Sequence, residues 1–293
     1  MAATTNEPAV VGKAGRSGKN RPPSRRQRGK DKRLEKARLR RARRRYVPVY
    51  DIQGPRVRVG ILWFLLIMGS LVYGTPALAV VYGVAATLAA YQLFRAWTEQ
   101  GEHPNPLVAT IGAASIPAAA VIGPAAAGGA ILGTTVLALF GATTTEASRE
   151  GFFGAAGNTV RCSVFIGLAA ATPVLAYEVH PGAGALLLLF VCAYETGDYL
   201  VGSGSANALE GPIAGAAAIA VFGFAAWVAN LPPFDRSIVP LLAALAILLC
   251  PIGQIIGSAL LPRADTPASA VRRLDSLLVL GPVWVVAVWN LLD

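Results

Sequence analysis

Beyond Arg58 the chain contains no lysine at all. Charge of either sign is scarce, at 14% of residues, where a soluble domain carries about a quarter. Cysteine is limited to Cys162, Cys192 and Cys250, each inside an apolar stretch and with no CxxC spacing. This excludes a disulfide framework and a thiolate zinc site, and leaves the three thiols as small buried hydrophobes. The only histidines, His103 and His180, form no ligand pattern. An early apolar core is missing from the first sixty residues, so no cleavable signal peptide is expected.

The charge that exists is unevenly placed. Residues 1–58 hold 19 Lys+Arg against 4 Asp+Glu, and residues 59–293 hold 7 against 12. The basic segment is rich in Arg, Lys, Gly, Pro and Ser. It cannot bury enough apolar surface to offset the entropy of ordering, so a disordered basic tail is expected over 1–58. Its stretch Asp31–Arg45 suits anionic lipid headgroups. Nucleic acid is the less favoured partner, because no aromatic interleaving or folded RNA-binding module accompanies the charge.

What fills the remainder is apolar sequence. Nine runs stand out, at 59–73, 76–97, 107–122, 124–142, 159–178, 183–202, 211–230, 237–261 and 276–292. Roughly 17–25 apolar residues span a bilayer as a helix. The runs do not alternate as barrel strands would, and within lipid only helices or closed barrels satisfy their backbones. The expected fold is an all-α polytopic membrane bundle of about nine transmembrane helices over 59–293. Placing the tail in the cytoplasm and alternating through nine spans puts Arg95, Arg149, Arg161, Arg263, Arg272 and Arg273 inside, and only Arg236 outside. That distribution follows the positive-inside rule and implies a multi-pass protein of the cell membrane with a cytoplasmic N-terminus.

Two polar sets interrupt these runs. Glu195 and Asp198, in Glu195-Thr196-Gly197-Asp198-Tyr199, are three apart and share a helix face. Glu210 follows at the start of the next run. Arg263, Asp265, Arg272, Arg273 and Asp275 line the last inside loop. Carboxylates together with phosphate oxygens hold Mg²⁺, and arginine forks hold phosphate. Intramembrane carboxylates also serve ion or proton transport, or lock helices together. The residues alone leave all three readings open.

At these positions the chain resembles the phosphatidate cytidylyltransferase (CDP-diacylglycerol synthase) family. The likeness is carried by Glu195-Thr196-Gly197-Asp198-Tyr199-Leu200-Val201-Gly202, by Asn207-Ala208-Leu209-Glu210-Gly211-Pro212, and by a C-terminal stretch that opens at Gly257-Ser258 and closes at Arg272-Arg273-Leu274-Asp275-Ser276, followed by Gly281-Pro282-Val283. The resemblance implies transfer of CMP from CTP to phosphatidate, with release of pyrophosphate and a need for Mg²⁺, a monovalent cation also being implicated. It implies that Asp275, Arg273, Glu195 and Asp198 act in catalysis. Tyr199, Glu210, Ser258, Arg263 and Arg272 would contact substrate, and Asp275, Glu195 and Asp265 would hold the metal. The chain departs from the family where Leu261-Pro262 replaces a Lys-Arg pair, where a Lys-Asp and His-Gly-Gly segment is missing, and where Arg272 replaces an aspartate. An inactive relative that binds lipid or nucleotide is therefore an alternative, as is a carboxylate-based transporter. The oligomeric state is open, with a homodimer among the options.

Overall fold

The computed structural model describes residues 56–144, 151–203, 205 and 207–292. The expected tail lies outside these residues, except for Arg56–Arg58, which belong to the first helix. Among the described residues there are nine α-helices and no strands: α1 (Arg56–Tyr73), α2 (Thr75–Thr98), α3 (Pro106–Ala120), α4 (Pro124–Ala142), α5 (Gly151–Val179), α6 (Pro181–Gly202), α7 (Glu210–Ala229), α8 (Ile238–Leu260) and α9 (Leu277–Leu292). A single 3₁₀ turn, Val271–Arg273, precedes α9.

The helix punctuation follows local chemistry. Proline opens α3, α4 and α6, where its missing N–H costs nothing. Asn105 caps α3 by accepting from the amides of Leu107 and Val108, each at 3.1 Å. His180 caps α6 through Nδ1, which accepts from the Gly182 amide at 3.0 Å. This gives one of the two histidines a purely structural task. Asn230, at φ 51°, ends α7 in the left-handed conformation that asparagine tolerates.

Among the described residues seven helical segments are long and apolar enough to cross a membrane: α2, α4, α5, α6, α7, α8 and the 3₁₀ turn with α9. The other two apolar stretches, Gly60–Tyr73 and Pro106–Ala120, are shorter. The 15 residues of α3 extend about 22 Å, short of the ~30 Å hydrocarbon core. The chain is a multi-pass membrane protein, all-helical among the described residues.

Helix α5 is the hub, touching α2, α3, α4, α6 and α9. Its neighbours approach through small side chains. Ala86, Ala89 and Ala90 of α2, Ala109 and Ala113 of α3, and Ala169 and Ala170 of α5 are all fully buried. At Gly167 a Cβ would stand 2.9 Å from the Ala113 carbonyl oxygen, so glycine is required for α3 to lie this close. Small residues provide most of the close packing between membrane helices. The outer surface carries the large apolar side chains, among them Leu62, Val72, Ile122 and Phe153.

One boundary differs from the sequence expectation. The fifth apolar run begins at 159, yet α5 begins at Gly151. Its first two turns, 151–157, are glycine, alanine and phenylalanine, and the polar step that follows them is engaged by the end of α2 and the α2–α3 loop. Asn158 Nδ2 donates to Glu102 at 3.0 Å, Thr159 Oγ1 accepts from the Asn105 amide at 2.9 Å, and Arg161 stacks 4.4 Å over the ring of Trp97. The polar step 158–161, where the apolar run is interrupted, thus lies inside the helix.

Candidate functional site

The C-terminal halves of α6 and α8 meet the 3₁₀ turn on one side of the bundle. Glu195 and Asp198 project from a common face of α6. On α8, Gln254 and Ser258 are one turn apart, and so are Gly253 and Gly257. The two glycines admit the incoming loop. A Cβ on Gly253 would lie 2.3 Å from the Asp275 carbonyl oxygen, and one on Gly257 would lie 2.5 Å from the Asp275 Cβ. The fold thus seats Asp275 directly against α8, where it is buried.

Charges converge at this seat. Arg272 Nη1 lies 3.6 Å from Asp275 Oδ2, and Arg273 Nη1 lies 3.7 Å from Glu195 Oε2. Glu195 is within electrostatic range of Arg273, Asp275 and Asp198 together. Both ion pairs are longer than the 2.7–2.9 Å of a charge-assisted hydrogen bond. The other oxygen of Glu195, Oε1, is buried with no hydrogen-bond partner among the described residues. Tyr82 of α2, Cys192 of α6 and Cys250 of α8 lie close enough to interact with Glu195.

The two arginines differ in their freedom. Arg272 donates through Nη1 to Ser258 Oγ at 2.8 Å and through Nη2 to the Ala264 carbonyl at 3.0 Å. It therefore braces the loop as well as pairing with Asp275. Ser258 in turn donates to the Gln254 carbonyl at 2.9 Å. Arg273 has its guanidinium beside Gly60 of α1, where a Cβ would stand 3.6 Å from Nη2. Among the described residues its guanidinium pairs with Glu195 alone, at 3.7 Å.

A buried polar chain stiffens the same region. The Tyr194 hydroxyl donates to Gln254 Oε1 at 3.2 Å, and Gln254 Nε2 donates to Asp198 Oδ2 at 3.0 Å. The Tyr194 ring is fixed by α7, since a Cβ on Gly215 would meet it at 2.6 Å. Gly197 meets the Ala214 carbonyl equally closely. The glycine of the Glu-Thr-Gly-Asp segment is thus a contact point between α6 and α7.

Of the residues expected from sequence, Glu195, Asp198, Ser258, Arg272, Arg273 and Asp275 are brought together. Tyr199 is half-buried on α6, one residue beyond Asp198. Glu210 is exposed at the start of α7 and accepts a hydrogen bond from the Ser205 hydroxyl. Arg263 and Asp265 pair with each other at the exposed loop surface, at 3.1 Å and 3.2 Å. Among the described residues no three His, Cys, Asp or Glu side chains are gathered as a metal-binding group. The expected trio of Glu195, Asp265 and Asp275 is accordingly not assembled: Asp265 is engaged by its own neighbour, two residues away. What the site offers is carboxylates with oxygen-only chemistry. These suit Mg²⁺ held by one or two carboxylates and completed by phosphate oxygens and water, rather than by an all-protein cage.

Gln254 and Tyr194 were not expected from sequence. The signal for Gln254 is a lone amide in an otherwise apolar run, which is costly in lipid unless it is paired. Comparison of the chain with protein-family models, with characterised proteins and with solved structures finds no match.

Proposed function

We propose that this protein is a membrane-embedded cytidylyltransferase of phospholipid synthesis, transferring CMP from CTP to phosphatidate and releasing pyrophosphate. The observation that carries the reading is the meeting of Glu195, Asp198 and Asp275 with Arg272 and Arg273 in one cluster between α6 and α8. The cluster has the mixed charge that a phosphate–metal pair requires. Its members come from segments that carry the family resemblance.

In this reading a phosphate oxygen of phosphatidate attacks the α-phosphorus of CTP. The new P–O bond forms as the bond to pyrophosphate breaks, and the electron pair leaves on pyrophosphate. Asp275 and Glu195 would hold Mg²⁺, which when bound would supply charge neutralisation at the phosphates. Arg273 contacts phosphate oxygens. Arg272 holds the loop and keeps Asp275 in place. Asp198, fixed by Gln254, adds negative charge behind Glu195. Catalysis is then chiefly positioning and electrostatics. A nine-span topology with a cytoplasmic N-terminus, in which α1 and α3 count as short spans, would put this cluster on the side where CTP is found.

Purified protein in lipid vesicles, given labelled CTP, phosphatidate and Mg²⁺, is expected to form a lipid-soluble CDP product. No product, under conditions where an established enzyme of this class is active, would remove the reading. One observation favours a second one, a non-catalytic relative that binds the nucleotide or lipid: Arg272 pairs with the carboxylate that would hold the metal. Binding of CTP without turnover distinguishes the two.

A further inference from the structure

The loop between α8 and α9 carries both arginines, and α2 grips that loop at two points. At the first, Trp97 Nε1 donates to the Leu260 carbonyl at 2.9 Å, where α8 ends. At the second, Gln92 Oε1 accepts from the Ala270 amide at 2.9 Å, and Gln92 Nε2 faces Ser269 Oγ at 3.4 Å. Ala270 is the N-cap of the 3₁₀ turn Val271–Arg273. The amides that open a helix have no partner within it and need one from outside. Gln92 supplies that partner from a helix that is remote in sequence.

The position of the contact matters because of what the turn carries. In a 3₁₀ helix successive side chains diverge by about 120°. The consecutive arginines therefore point apart: Arg272 turns to Ser258, Ala264 and Asp275, and Arg273 turns to Glu195. A rotation of the turn would exchange or lose both pairings. Backbone bonds inside the turn and the Gln92 contact at its start oppose such a rotation. The backbone bonds are Arg273 N to Ala270 O at 3.1 Å and Leu274 N to Val271 O at 3.0 Å.

We infer that Gln92 is a positioning residue, whose side-chain amide caps the arginine turn and sets the direction of the two guanidinium groups. Its catalytic meaning rests on the nucleotidyl-transfer reading above. The carbonyl oxygen of the side chain does the work, and the weaker contact to Ser269 adds little. Glutamate keeps that acceptor, and leucine keeps the approximate size but not the acceptor. A role in packing alone would reverse the order, because leucine is the better filler of an apolar space.

The test compares Gln92→Leu with Gln92→Glu in the full chain in nanodiscs. The first readout is hydrogen exchange of the peptide spanning Ala268–Leu274, and the second is the KM for CTP set against kcat. In Gln92→Leu the Ala270 amide should exchange about three- to tenfold faster, the value of one net hydrogen bond. The KM for CTP should rise by a similar factor, more than kcat falls, and Gln92→Glu should restore both. Unchanged exchange in Gln92→Leu, or Gln92→Glu as damaging as Gln92→Leu, overturns the assignment. Exchange that behaves as expected in a protein that does not turn over CTP would remove the function proposed above and leave the cap standing.

Discussion

Asp275 is the residue on which most of the cluster depends. It is buried, sits against two glycines of α8 and pairs with Arg272. Asp275→Asn keeps the shape and removes the charge. We expect nucleotidyl transfer to fall on the order of a hundredfold or more, the scale of losing one electrostatic contact to a reacting group. The thermal midpoint in detergent should change little, and a variant that loses both activity and fold would refute the assignment of a charge-specific role. Gln254 is expected to behave differently. Gln254→Met fills the same space but withdraws the donor to Asp198 and the acceptor of Tyr194. Leaving buried polar groups short of partners costs about 1–3 kcal/mol. That loss should appear as a lower thermal midpoint whether or not substrate is present; an unchanged midpoint would mean that the polar chain does not hold α6 to α8.

At the scale of elements, closeness is set by glycine. α8 receives the loop through Gly253 and Gly257, and α7 lies on α6 through Gly215 and Gly197. Where a Cβ would meet backbone this closely, the neighbouring element must move. Gly253→Ala, facing the Asp275 carbonyl at 2.3 Å, should therefore displace the loop and lower CTP turnover. Its stability cost should be about 1–3 kcal/mol, typical of overpacking. Gly128→Ala, on α4, has open space around its Cβ. It is the matched control and should leave both quantities near those of the parent. Equal effects at the two glycines would show that helix propensity, and not the seat of Asp275, is being measured.

For the molecule as a whole the testable quantity is its direction in the membrane. α6 and α8 bring their C-terminal ends to the same side, as the Gln254–Asp198 contact requires. The α7–α8 connection, which contains Arg236, must then lie on the other side. Cysteines introduced at the exposed positions Asp265 and Arg236 should be labelled from opposite faces of sealed vesicles, with Asp265→Cys reached from the cytoplasmic face. Labelling of both from one face would contradict the proposed topology and with it the proposed access of CTP to the cluster.

The amino-acid sequence by itself determined the all-helical membrane class, because long apolar runs in lipid leave the backbone no other solution. It also marked Glu195, Asp198, Arg272, Arg273 and Asp275, since charge among apolar runs is conspicuous and costly. It grouped Asp265 with the buried carboxylates, whereas the fold pairs Asp265 with Arg263 on an exposed loop. It did not reveal Gln92 or Gln254, because a single amide carries no periodic signal and its value lies wholly in what it faces. Tertiary structure alone decided which charges meet. Pairing across 56 residues, as between Asp198 and Gln254, or across 178, as between Gln92 and Ala270, is set by how closely glycine and alanine let the helices approach.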